Sequence, residues 1–209
     1  MIHTLNRLWG FINLKSLLVL LCCLFWSIQS YGQKHHFKVH KGGKEIGEVT
    51  ATLKKSLNTQ IYKIQSDVSF RILWKHYRRK TNSTVTYRDE FVETSYLGIY
   101  MNNEMVDSST VEQDINEYHA FKFPDDHFVL NQVDLRFTTA KLYFQEPLGI
   151  KRVYSERFLK YCPLEAQGDS RYKLHLPDNK VNYYIYKDEQ LAAVLVERTW
   201  FNLEFRKVK

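Results

Sequence analysis

The chain has 209 residues, 44% apolar and 25% charged, with only 8 Gly and 4 Pro, which excludes a disordered, collagen-like or low-complexity protein. Three cysteines exclude a disulfide scaffold, and a formal net charge of +7 without a long basic block excludes a nucleic-acid footprint. The length fits one domain or two small ones.

Residues 1–32 read as a secretory signal peptide. Arg7 and Lys15 precede Ser16–Ile28, an uncharged and almost wholly apolar run of 13 residues, and Ser30 and Gly32 supply a small-x-small cleavage site. A core this short falls well below the roughly 20 residues of a spanning helix. Trp9, Phe11 and Ile12 upstream keep an uncleaved N-terminal anchor as the alternative. Cys22 follows Leu21 rather than a small residue, so Cys22 and Cys23 read as part of the apolar core and not as a lipidation site. Cleavage after Gly32 leaves residues 33–209 as a single β-rich domain with 28 basic and 23 acidic residues and one cysteine, Cys162. Its expected location is the periplasm or the extracellular space.

His35, His36 and His40 read as a polar, flexible lead-in. A new terminus at Gln33-Lys34-His35 has the spacing for a square-planar Cu(II) or Ni(II) site, but an N-terminal Gln cyclises and removes the amine, so no metal is assigned. Beyond Gly42-Gly43-Lys44, a turn, Glu48–Lys54 alternates with Val49, Ala51 and Leu53 on one face, the period of a half-buried strand. Tyr62, Ile64, Val68, Phe70, Ile72 and Trp74 share the face of a longer strand, and Lys75–Lys80 reads as a solvated edge or turn. Asn82–Met101 continues the alternation, interrupted by a bulge or turn because Asp89, Glu93 and Ser95 share the apolar parity, and Asn102-Asn103 fits a two-residue hairpin turn.

Pro124-Asp125-Asp126 turns the chain between short strands around Phe121 and Val129. From Asn131 to Phe144, Leu135, Thr138, Thr139, Leu142 and Tyr143 fit helical spacing with Asn131 as a cap, while Lys141–Gln145 alone also fits a strand. Pro147–Ile150 reads as a hairpin turn before a strand over Arg152–Phe158. Strands around Tyr172–Leu176, Val181–Ile185, Leu191–Glu197 and Thr199–Val208, separated by Pro177-Asp178-Asn179 and Lys187–Gln190, close the chain as a meander. The expected fold is all-β: ten to thirteen strands in a curved antiparallel sheet or barrel-like clasp of consecutive hairpins, with at most one short helix.

The sequence holds no Gly-x-Ser-x-Gly elbow, no Gly-rich phosphate loop, no Cys-x-x-Cys and no His-Glu-x-x-His, so no catalytic residue and no cofactor is assigned. Glu146 and Glu156 flank the expected turn, and a close pair there would suit sugar hydrolysis. Acids beside turns are more often solvated or paired, with Lys151, Arg152 and Arg157 at hand. Cys162, with His175 nearby in sequence, reads as a buried structural thiol. Asn82-Ser83-Thr84 matches the glycosylation acceptor pattern. The many Tyr and Phe fill a core or line a cavity for an apolar or sugar-like ligand. The first place to look for ligand or partner binding is the segment Tyr143–Arg157, with Tyr143, Glu146, Tyr154, Glu156 and Arg157 as candidates.

Leu142-Tyr143-Phe144-Gln145-Glu146-Pro147-Leu148-Gly149, Val153-Tyr154-Ser155-Glu156-Arg157-Phe158 and Pro163-Leu164, with the opening His36-Phe37-Lys38-Val39 and Gly43–Gly47 and the closing Leu176-Pro177-Asp178, resemble an uncharacterised family of secreted, β-rich bacterial envelope proteins. The resemblance covers most of the chain beyond the leader and implies an exported bacterial protein with a curved antiparallel sheet. It carries no activity and no functional residues. A more distant similarity, of fold alone, is to periplasmic lipoprotein carriers, which hold acyl chains in a half-open barrel. The expected function is non-catalytic binding of a lipid, another apolar ligand or an envelope protein, with membrane contact only through an uncleaved N-terminus. The alternatives are a secreted hydrolase using paired carboxylates and a structural or assembly module with an exposed strand edge.

Overall fold

The computed structural model describes residues 31–115, 117–131, 134–197 and 201–208, so the expected leader lies outside the described residues except for Tyr31 and Gly32. Among the described residues, fourteen strands form a single antiparallel sheet: β1 (Tyr31–Lys41), β2 (Lys44–Lys55), β3 (Thr59–Ile72), β4 (Lys75–Arg88), β5 (Phe91–Met101), β6 (Glu104–Asp114), β7 (Glu117–Lys122), β8 (Asp126–Asn131), β9 (Arg152–Ser155), β10 (Lys160–Ala166), β11 (Arg171–His175), β12 (Val181–Lys187), β13 (Gln190–Glu197) and β14 (Asn202–Lys207). The lateral order is β8 through β1 followed by β14 through β9. Two meanders therefore meet at one seam, where Phe37 faces Lys207 and Val39 faces Phe205.

The inner face follows the period of two. On β3, Tyr62, Ile64, Ser66, Val68 and Phe70 pair in register with Val85, Ser83, Thr81, Arg79 and Tyr77 of β4. Gly47 of β2 sits opposite Val68, and a Cβ there would lie 2.2 Å from the Asp67 carbonyl oxygen, so only glycine permits this approach. Tight turns carry the expected left-handed residues: Gly42-Gly43, Asn102-Asn103 and Asp188-Glu189 all have positive φ.

β8 and β9 are the outer strands of the sheet, at opposite edges, yet they are successive in the chain. Of the described part of the connection between them, residues 135–144 pack inside the curved sheet. Leu135, Ala140 and Leu142 are buried, and the first two belong to one apolar cluster with Leu53, Tyr62, Val85, Tyr87, Val92 and Val111. Leu142 belongs to a second cluster, with Phe37, Val39, Val49 and residues of β10–β13. The same segment pairs with the β9 edge: the Thr139 amide donates to the Tyr154 carbonyl at 3.0 Å and the Tyr154 amide to the Phe137 carbonyl at 2.9 Å, as a parallel bridge.

Several sequence expectations need correction. Among the described residues of Asn131–Phe144, the expected helix is a single 3₁₀ turn, Lys141–Tyr143, because the segment serves contacts on both sides of the interior rather than one helical face. Pro147–Ile150 is a turn, closed by the Ile150 amide donating to the Pro147 carbonyl at 3.2 Å, but it joins no pair of strands and so is not a hairpin. The strand expected to reach Phe158 stops at Ser155, and Glu156–Leu159 form the β9–β10 turn. Lys75–Lys80 is strand rather than edge or turn, Leu73-Trp74 turns the chain, and the three N-terminal histidines lie within β1 rather than in a flexible lead-in.

Leu142→Ala removes a fully buried side chain from this internal segment and is expected to cost about 2–5 kcal/mol in urea unfolding. Leu148→Ala, on the same segment but 71% exposed, is expected to stay within roughly 0.5 kcal/mol of the parent.

Candidate functional site

Two features of the interior have chemical character. The first is a polar clasp around the β9–β10 turn. Glu156 is 2% exposed, and its carboxylate accepts hydrogen bonds from the Thr139 hydroxyl and, at 2.9 Å, from the Ala140 amide. Tyr87 on β4 extends the network: its hydroxyl donates to Thr138 Oγ1 at 2.8 Å and accepts from the Thr138 amide at 3.2 Å. Burial raises the Glu156 carboxyl above the usual range, opposed by the Thr139 and backbone hydrogen bonds.

The same turn grips the opposite half of the sheet. Ser109 on β6 donates to the Glu156 carbonyl at 2.6 Å, and Lys122 on β7 donates to the Arg157 carbonyl at 2.9 Å. Asp107 on β6 accepts from Arg157 Nε at 3.2 Å and from the Lys122 ammonium. Here the low exposure of all three partners makes the charges count for more than a surface pair.

The second feature is an apolar cavity of about 250 Å³ on the concave face. Val49 of β2, Ile64, Val68 and Phe70 of β3, Val196 of β13 and Leu203 and Phe205 of β14 wall it, with Phe201 ahead of β14 and Tyr143 from the internal segment. Ser66, Thr81, Asn182 and Arg79 are its polar members. Arg79 reaches this face because it pairs with Val68, one step in register from Ser66 and Thr81. The cavity thus straddles the β1–β14 seam between the two meanders.

The structure separates the five residues singled out in the sequence. Tyr143 lines the cavity and stacks edge-on against Phe37 at 5.7 Å. Glu156 and Arg157 belong to the clasp. Tyr154 packs edge-on against Tyr161 at 5.5 Å, and its buried hydroxyl is one of a few polar atoms without a partner among the described residues. Glu146 accepts from the Tyr172 hydroxyl at 2.8 Å. The two glutamates therefore serve different partners, and neither is held by Lys151, Arg152 or Arg157: Arg157 pairs with Asp107, and Arg152 lies over the Tyr161 ring at 4.4 Å. Cys162 is fully buried, with burial pushing its thiol up to about 11, and His175 contacts Glu165 at 3.3 Å rather than the thiol.

Sequence reasoning missed Arg79, Asp107, Lys122 and Asn182. For Arg79 the signal was present, since it shares parity with Tyr77, Thr81, Val85 and Tyr87.

Residues 37–208 match the family described as Domain of unknown function (DUF6134), and the chain belongs to that family. No protein with a curated description matches it. Among solved structures, a "Beta-barrel-like Protein of Domain of Unknown Function DUF1849 from Brucella abortus" aligns with a TM-score of 0.54 over 87% of this chain and 98% of its own, at 8% identity. That similarity is one of fold, and it agrees with a curved, barrel-like sheet.

Glu156→Gln keeps a hydrogen-bonding partner for Thr139 and Ala140 and removes the buried charge. A carboxyl whose folded pKa is raised stabilises the fold below its unfolded value near 4.5, and this contribution is lost as pH rises through the folded pKa. The stability of Glu156→Gln relative to the parent is therefore expected to increase with pH above about 4.5 in parallel urea titrations, reaching a plateau once the parent carboxyl is ionised.

Proposed function

We propose that this DUF6134 protein is an exported, non-catalytic binding protein whose concave sheet takes up a small apolar ligand bearing a polar group. The observation that carries the reading is the cavity at the seam: mostly apolar walls with a few convergent polar groups, the usual composition of a small-molecule site. At about 250 Å³ it lies just below the roughly 300–1,000 Å³ of typical ligand pockets, which favours one short acyl chain or a ring-sized group over a two-chain lipid. Ser66 and Thr81 on the wall give a polar group of the ligand hydroxyl partners.

Export rests on the leader pattern of Arg7, Lys15 and the Ser16–Ile28 core, and on the resemblance to secreted envelope proteins. The paired-carboxylate hydrolase has less support. Glycoside hydrolysis needs two carboxyl groups flanking one bond, whereas Glu156 is sealed from solvent with both oxygens engaged and Glu146 is committed to Tyr172.

Displacement titrations with medium-chain fatty acids and the corresponding alcohols test the reading. Both probes are expected to bind the parent, and Leu203→Trp, which fills the cavity, is expected to weaken both by about 10-fold or more. No binding of either probe, or equal binding by the parent and Leu203→Trp, would contradict it. Intact mass of the protein recovered from the periplasm is expected to begin at Gln33, and a mass that retains residues 1–32 would contradict cleavage.

A further inference from the structure

We infer that the β3–β4 hairpin tip is a contact point for an anionic lipid surface. The register places Ile72 opposite Lys75, leaving Leu73-Trp74 as a two-residue turn with Leu73 at φ +54°. Such turns favour glycine, asparagine or aspartate, which tolerate the left-handed backbone. The chain follows that rule at Gly42-Gly43, Asp89-Glu90, Asn102-Asn103 and Asp188-Glu189. At 73–74 it instead places a leucine and a tryptophan, 78% and 80% exposed, where turn chemistry gives them no advantage.

Basic groups outnumber acids around the tip. Lys44, Arg71, Lys75 and His76 are exposed beside it, and Lys41, Lys44, Arg71 and His76 line a groove immediately behind it with one acid, Glu45. The nearby acids are already committed: Glu45 to Lys38 at 2.8 Å and Asp67 to Arg78 at 2.5 Å. Two other exposed apolar turn residues lack this setting. Leu57 neighbours the Asp89-Glu90 turn, through the Asp89 amide bonded to the Asn58 carbonyl, and Ile115 follows Asp114 shortly before Glu117.

A convex apolar tip ringed by cations matches the bilayer interface. Tryptophan and leucine enter the head-group region, and lysine and arginine are drawn to anionic lipids within about a Debye length. A flat acidic protein surface would meet the cations but offer no layer for the two-residue tip to enter. The inference uses residues outside the proposed ligand contacts and does not depend on that reading. Phe70 lines both the basic groove and the cavity, so docking at the tip would bring the cavity's wall close to the bilayer.

The test is co-sedimentation of the chain, as recovered from the expressing cell, with vesicles of phosphatidylcholine alone or containing phosphatidylglycerol. The parent is expected to be retained on the anionic vesicles and released by salt. The double variant Leu73→Asn, Trp74→Gly installs a favoured hairpin turn, so the fold survives, and retention is expected to fall by about 10-fold or more. Lys44→Gln with Arg71→Gln and Lys75→Gln is expected to abolish the preference for anionic lipid while leaving the circular dichroism spectrum unchanged. Absence of parent retention, retention of the double variant equal to the parent, or equal retention on uncharged vesicles would each overturn the inference. Undiminished retention of the double variant would assign any binding to another part of the chain.

Discussion

The chain leaves its sheet at one edge and rejoins it at the other, and the path between β8 and β9 runs through the interior. The rest of the architecture depends on that crossing. A fourteen-stranded antiparallel sheet must curl, split or close, and its two edges would otherwise offer unpaired backbone to other chains. Here the sheet curls around its own connection. Residues 137–139 occupy the free edge of β9, Leu135 accepts from the Val92 amide at the start of β5, and Tyr186 on β12 donates to the Leu142 carbonyl at 2.6 Å. One short segment thereby gives both apolar clusters a shared wall.

The polar groups of the interior follow from the same arrangement. A buried carboxylate is costly unless its lone pairs are satisfied. Glu156 finds its donors on the internal segment itself, at Thr139 and Ala140, so the segment's position and the acceptability of the charge are one condition. Asp107, Lys122 and Arg157 then tie the β9–β10 turn to β6 and β7, linking the C-terminal meander to the N-terminal one at a point far from their seam. Between seam and clasp the curved face is not completely filled, and the space left is the cavity with Arg79 on its wall.

Most of the strands were legible because their signal is local. Val49, Ala51 and Leu53 alternate with polar neighbours whether or not β3 is in place, and Gly42-Gly43 and Asn102-Asn103 specify turns by backbone preference alone. The internal segment was not legible for the converse reason. Leu135, Thr138 and Leu142 have helical spacing, but each is fixed by a different partner, and tertiary contacts override a weak local pattern. Glu156 looked like an acid beside a turn, which it is; nothing within ten residues announces that Thr139 and Ala140 will cover it. Arg79 was hidden in the basic run 75–80, where charge suggested solvent although strand parity pointed inward. The seam between β1 and β14 joins the two ends of the described chain, a pairing that no local signal encodes.

Amide hydrogen exchange resolved to single residues tests the central role of the internal segment most directly. Val92, Thr139, Ala140 and Tyr154 all donate amides into or from that segment. If it is the keystone, these four exchange as slowly as the seam amides of β1 and β14, through global unfolding alone. Exchange of Thr139 and Ala140 at the rate of the exposed turns, while β1 and β14 stay protected, would show that the sheet holds its shape without the segment and would contradict the account.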